Sequence, residues 1–368
     1  MYASNLDWCL KLNFLLGVHP AKQKSFTQTL QYLFIIFGSC AIMILTVLLL
    51  YYKEDAVSMK DITDVSTNFT MFPHGMIKLT TLYMKRAEIL DLLRRTKEHF
   101  WQIKDDREDV KRSYKLAKLL KNLFFNSVVL FIISAIVKPI IIGGNTLTYK
   151  CHKPELIPRW LFLIFQDAMC VAILFTLSCT DVLILTLLIL TQIQFRMLNE
   201  KIQTIHDNEV DFHDRLKECV DHQNFLMDFV DRFSKVFSKT ILLFIGNIIL
   251  SLCMCMYIIT TESANINVQM EALFHLIAGL NEICLCYSIP AQTLMNEADE
   301  VGKNAYFSKW YEHPKDAKLI LQIMIRDQKR MVITAGDFVR IDMEMFLTAC
   351  KTIVSYCMFL RTMSMVDQ

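Results

Sequence analysis

Apolar residues in this chain gather into long runs, and the runs set the length of its helices. Residues 30–52, 122–142 and 240–261 are apolar around their whole helical circumference. About 20 helical residues span roughly 30 Å, the thickness of a hydrocarbon layer, and a helix apolar on every side has no face for water. Residues 160–195 and 270–295 follow the same pattern, which makes five spans. Composition agrees: 54% of the 368 residues are apolar, and only 9 glycines and 7 prolines interrupt them.

Two further segments of membrane length carry charges. Residues 61–84 hold Asp61, Asp64, Pro73, His74 and Lys78, and residues 341–362 hold Asp342, Glu344 and Lys351. Ionisable groups are costly in lipid, so such helices cross only with those groups turned toward protein or water. The basic residues decide the count, because cytoplasmic connections collect Lys and Arg. With seven spans, residues 1–29, 85–121, 196–239 and 303–340 share one side and hold 3, 12, 7 and 8 of them, 30 of the 39 in the chain. Without a crossing at 61–84 the cluster of 12 would change sides and the alternation would collapse. The expected fold is all-α: a polytopic membrane protein with seven transmembrane helices, N-terminus cytoplasmic and C-terminus extracellular.

The chain then divides into a cytoplasmic segment 1–29, helices one to six over 30–302, a cytoplasmic anchor segment 303–340, and a seventh helix with its tail over 341–368. The fourth helical pattern runs on through QIQFRMLNEKI and resumes over 212–239, so helices are expected to project below the membrane. Residues 315–330 form a shorter amphipathic helix, too charged to cross.

A formal charge of +2 with no charged tail gives no sign of nucleic acid as a partner. Most of the twelve cysteines lie inside apolar runs and behave as small hydrophobes. His206, His213 and His222 are seven and nine residues apart, not at the i, i+4 spacing of a helical zinc pair, so solvated histidines and no metal are expected. No phosphate loop, nucleophile elbow or H-E-x-x-H is present, so the sequence offers no catalytic residue and no cofactor, and an enzyme is not expected. The Asn68-Phe-Thr sequon falls inside the second span, out of reach of glycosylation, and Asp231-Arg232-Phe233 reads as a solvated helical face.

In the last helix the polar positions form a stripe. Thr348, Thr352, Ser355 and Thr362 follow steps of four, three and seven, and Phe359 falls on the same line. The opposite face, with Phe346, Cys350, Ile353, Cys357 and Leu360, suits packing. Two readings stay open on these residues alone. Copies around an axis would line a pore gated by the apolar ring, which requires an oligomer. Alternatively, the hydroxyls bond back to their own helix and pack against neighbours.

The C-terminal third carries a denser pattern: EADEVGKNAYFSKWYEHP, then the short amphipathic helix, then AGDF, then FLTACKTIVSYCMFL. It resembles the C-terminal signature of insect odorant receptors, with an aromatic and Trp-Tyr cluster, an Ala-Gly-x-Phe turn and a Ser-Tyr pair. Here these are Tyr306, Trp310, Tyr311, Ala335, Gly336, Phe338, Ser355 and Tyr356, and the match is specific over residues 295–363. Elsewhere it rests on length, span spacing and topology.

The resemblance implies an odorant receptor subunit, a ligand-gated non-selective cation channel that binds a volatile small molecule and opens a pore in a heterotetramer with a co-receptor. It implies a multi-pass protein in the lipid of the plasma membrane, in a sensory neuron dendrite. Thr348, Thr352, Ser355, Phe359 and Thr362 would line the pore, with Phe359 near the gate. That Phe departs from the smaller aliphatic gate associated with the co-receptor, which favours a mixed tetramer. A gustatory-type receptor of the same superfamily shares the topology and is the nearest alternative. A metabotropic seven-helix receptor would have its N-terminus outside.

In such receptors the ligand lies in the outer half, among helices two, three, four and six. On this chain, direction then selects residues 62–75, 131–142, 160–174 and 270–283. The candidates are Phe69 and Phe72 on the second helix and Ser134, Val137, Lys138 and Ile141 on the third. Phe165, Met169 and Ile173 on the fourth and Phe274, Ile277 and Asn281 on the sixth complete the set. Such a cavity would be apolar with a few polar anchors. Lys138, Asp167, Asp181 and Glu282 are ionisable groups in or beside spans, for which a functional role and interhelical pairing are both open.

Overall fold

The computed structural model describes residues 26–53, 59–102, 147–205, 212–260 and 266–366, with individual positions between 115 and 137. The helices are α1 (Phe26–Tyr51), α2 (Met59–Met84), α3 (Arg86–Glu98), α4 (Arg159–Gln203) and α5 (Phe212–Thr260). They continue with α6 (Ile266–Asn281), α7 (Ile289–Phe307), α8 (Ala317–Gln328) and α9 (Met343–Val366). A π-helical segment, Glu282–Ser288, joins α6 to α7 without a break. Strands β1 (Thr334–Ala335) and β2 (Val339–Arg340) pair in a small hairpin. The described positions between 115 and 137 are helical.

Among the described residues, α1, α4, α5, the continuous stretch Val268–Phe307 and the Met343–Thr362 part of α9 are long and apolar enough to cross a membrane. At 1.5 Å per residue, the 45 residues of α4 and the 49 of α5 extend roughly 68 Å and 74 Å, more than twice the hydrocarbon thickness. One end of each must therefore project, as the continued periodicity of the sequence predicts. α4 is central, with 89% of its most apolar window buried inside the chain, against 28% for α1 and 17% for α9. The two peripheral helices turn Phe34, Ile44, Leu347 and Val354 outward, as suits contact with lipid or another subunit. Close approach at the centre depends on small residues: a Cβ on Gly75 of α2 would lie 2.4 Å from Ile173 Cγ2 of α4.

The projecting ends form a polar and aromatic layer. On α4, Arg196 Nε donates to Glu297 Oε1 at 2.9 Å, and Asn199 Nδ2 donates to the Glu297 carbonyl at 2.8 Å. Asn304 Nδ2, two turns further along α7, donates to Asn199 Oδ1 at 3.0 Å. α8 lays its buried Ile320 and Ile323 on this layer.

His222 corrects the expectation of solvated histidines: it is buried and stacked on Trp101 with ring centroids 3.8 Å apart. The Trp101 backbone is clamped by Gln194, whose Oε1 accepts from Trp101 N at 2.9 Å and whose Nε2 donates to Trp101 O at 3.1 Å. The buried face of α5 simply continues past the membrane. His213 is exposed and bonds Asp316 at 2.5 Å, while His206 lies outside the described residues. The described cysteines are all free. Asn68 is buried and donates to Thr46 Oγ1 and Lys150 O at 2.9 and 3.0 Å, which leaves no room for a glycan.

The Ala-Gly-Asp-Phe motif is the loop of the hairpin. Gly336 and Asp337 have φ of 62° and 68°, and the Gly336 and Asp337 amides donate to the carbonyl and hydroxyl of Ser238 on α5 at 3.0 and 3.2 Å. A Cβ at Gly336 would meet Leu242 Cδ2 at 2.3 Å. Gly336→Ala is expected to cost about 1–2 kcal/mol from the left-handed backbone alone, with the Leu242 clash in addition. The measurement is thermal unfolding of the purified chain in detergent, and wild-type stability for Gly336→Ala would refute this account of the turn.

Candidate functional site

Two of the ionisable groups of α2, His74 and Lys78, are met inside the protein. Lys78 is fully buried, and its Nζ donates to Asp181 Oδ1 of α4 at 2.5 Å and to Glu282 Oε1 of the π segment at 2.6 Å. His74, one turn before it, places Nε2 3.1 Å from the same Glu282 oxygen. The Tyr287 hydroxyl donates to Asp181 Oδ1. Beneath the cluster lies Phe244 of α5, with Lys78 Nζ 4.6 Å from its ring centroid and the His74 ring stacked on it at 5.5 Å. Three helical segments thus meet on one set of ionic hydrogen bonds, with a ring of α5 beneath them, and such bonds are strong only where water is excluded.

The π segment makes this possible. In an α-helix, residues five apart point roughly 140° away from each other. The i→i+5 bonding of a π turn brings them onto one face, and π turns of this kind are frequent at functional sites. Glu282 and Tyr287 are five apart, and both reach the Lys78–Asp181 pair.

Directly beside the cluster is a partly open cavity of about 50 Å³. Its apolar wall comes from Met71 of α2, Val128, Leu174 and Leu177 of α4, and Ile248 of α5. Its polar positions are Thr70, His74, Asn247, Ser251, His275 and Glu282. Three of these are engaged with other lining residues: Asn247 Nδ2 donates to the Thr70 carbonyl at 2.7 Å, and Ser251 Oγ pairs with His275 Nε2 at 2.9 Å. An apolar chamber with a few convergent polar groups is the usual form of a small-molecule site.

The wall is built from neighbours of the residues expected from the sequence, not from those residues themselves. Phe72 is buried against Tyr149, Ile173 is packed on Gly75, and Met169 closes on Gly38 of α1. Phe69, Val137, Phe165 and Asn281 are half-buried outside the cavity lining, and Phe274 and Ile277 face outward. Ser134, Lys138 and Ile141 lie outside the described residues. Thr70, Met71, His74, Leu174, His275, Ala278, Gly279 and Glu282 do fall within the expected stretches, whereas α5 contributes a wall that those stretches omit. Asn247 and Ser251, one turn apart in an otherwise apolar run, were the available signal. Asp167 accepts from Thr148 at 2.7 Å.

On α9, Ile353 and Cys357 are buried against the bundle, while Thr348, Ser355, Phe359 and Thr362 are exposed and Thr352 is half-buried. Thr352 and Thr362 donate to the carbonyls four residues earlier at 2.8 and 2.9 Å, leaving their lone pairs outward. Of the tail motif, Tyr306, Tyr311, Phe338 and Tyr356 are exposed and Trp310 is half-buried.

Long apolar helices around a cavity define a multi-pass helical membrane protein. The chain belongs to the odorant receptor family: residues 58–354 match the family model described as 7tm Odorant receptor. Among solved structures it is similar to the insect olfactory receptor OR5 from Machilis hrabei, with a TM-score of 0.81 at 12% identity over 98% of both chains. The same receptor in complex with eugenol superposes with a TM-score of 0.77 at 13% identity, over 98% of this chain and 99% of that one. At these identities the likeness establishes the fold. No curated protein sequence matches the chain.

Proposed function

We propose that the chain is a tuning subunit of an odorant-gated, non-selective cation channel, and that it opens a pore together with a co-receptor subunit in a heterotetramer. The observation that carries this reading is the division of α9. Its packing face is buried, while Thr348, Ser355, Phe359 and Thr362 are exposed and meet no partner surface among the described residues. A lipid-facing helix has no use for such a stripe, whereas copies around an axis line water with it. The family match supports the receptor role, and the eugenol complex of the Machilis receptor supports a small organic ligand.

In this reading there are seven spans with the N-terminus cytoplasmic, as the basic residues require, and the layer of projecting helix ends is the cytoplasmic anchor. The cavity then lies between the helices within the membrane, and the receptor resides in the plasma membrane of a sensory neuron dendrite.

Co-expression with a co-receptor, followed by recording of volatile-evoked current while G-protein signalling is blocked, tests the proposal. Current that persists under the block and requires the co-receptor is expected. Loss under the block would return the chain to the metabotropic class, and current without the co-receptor would favour a gustatory-type channel.

A further inference from the structure

The cavity wall presents a carboxylate acceptor. Glu282 directs Oε1 to both Lys78 and His74, and neither of these contacts uses its Oε2. His74 Nε2 stands 3.1 Å from Oε1 without the alignment of a hydrogen bond. Glu282 and His74 are each only 6% exposed, and both line the cavity. Stripping water from a carboxylate oxygen at a cavity wall without replacing its hydrogen bond is costly, and the nearby amide and hydroxyl are already engaged. Asn247 is spent on Thr70, and Ser251 is spent on His275.

Resting on the reading of this cavity as the ligand site, we infer that it selects compact apolar molecules bearing one hydroxyl. The hydroxyl donates to Glu282 Oε2 and accepts from His74 Nε2 in its protonated tautomer, while the carbon skeleton fills the wall of Met71, Leu174, Leu177 and Ile248. A hydroxyl is the smallest group that both donates and accepts. An ether or ester only accepts, so it would bury Oε2 further without satisfying it, and a hydrocarbon does neither. Discrimination by an unmet buried polar group is far steeper than discrimination by apolar fit.

The test uses the full chain with its co-receptor and alcohols paired with ethers of equal atom count. 1-Hexanol is set against methyl pentyl ether and heptane, and 2-phenylethanol against benzyl methyl ether and propylbenzene, within a broad panel of volatiles. The half-maximal concentration for the alcohol is expected to lie at least about tenfold below that of its ether. Glu282→Gln keeps the shape and leaves Lys78 paired with Asp181, and it is expected to reduce that advantage to below about threefold without weakening the ether. If the variant fails to reach the surface, the wild-type pairs decide alone.

Equal potency of alcohols and ethers, or responses confined to volatiles without a hydroxyl, overturns the inference while leaving the channel reading intact. Absence of current to every volatile on the panel overturns both.

Discussion

Lys78→Met is expected to remove most of the receptor from the cell surface. The substitution keeps the volume of the side chain but leaves two buried carboxylates facing each other without their cation. Breaking one member of a buried ionic group costs about 3–5 kcal/mol, a large share of the stability of a typical domain. Asp181 is fully buried, and its Oδ2 has no partner among the described residues, so it has little means of compensating. Combining Lys78→Met with Asp181→Asn and Glu282→Gln removes all three charges and is expected to restore much of the loss, because an emptied ionic cluster is tolerated far better than a broken one. Surface biotinylation of the single and triple variants measures both effects. Wild-type surface levels for Lys78→Met would show that the cluster does not hold the helices together.

The second large effect concerns α9. In complexes with the co-receptor, Phe359→Ala is expected to raise basal current or conductance several-fold, since an apolar ring at a constriction closes a pore by excluding water. Cys357→Ala lies on the buried face, where its Sγ sits 3.6 Å from Thr260 Oγ1, and it is expected to change conduction much less. Single-channel recording separates the two. Equal, small effects would assign the hydroxyl stripe to packing alone.

What the sequence made legible follows from what lipid demands. A bilayer requires long apolar runs, so α1, α4 and α5 were visible as patterns. The rule that a charge in a span must face protein anticipated the burial of Lys78. Its partners were not readable, because Asp181 and Glu282 lie 103 and 204 residues away, and no local pattern joins them. Glu282–Ser288 reads as ordinary apolar helix, and nothing in its residue types announces a π turn. Phe274 and Ile277 show why the cavity was harder to locate than the helices. In a membrane the outward face is as apolar as the inward one, so apolarity cannot tell a lining residue from a lipid-facing one. Polar residues do carry that information, and Asn247 and Ser251 on α5 were the more reliable guides.

The π segment has a mechanical meaning beyond the pairing of Glu282 with Tyr287. A wide turn holds one residue more than the helix around it needs. If that surplus is handed along by one turn, the residues it passes rotate by about 100° while their backbone hydrogen bonds find new partners. Glu282, at one edge of the segment, borders the cavity, and the adjacent Ile283 packs in one cluster with Ile353 of α9. The contact with the cavity and the contact with α9 therefore fall on adjacent residues of one segment.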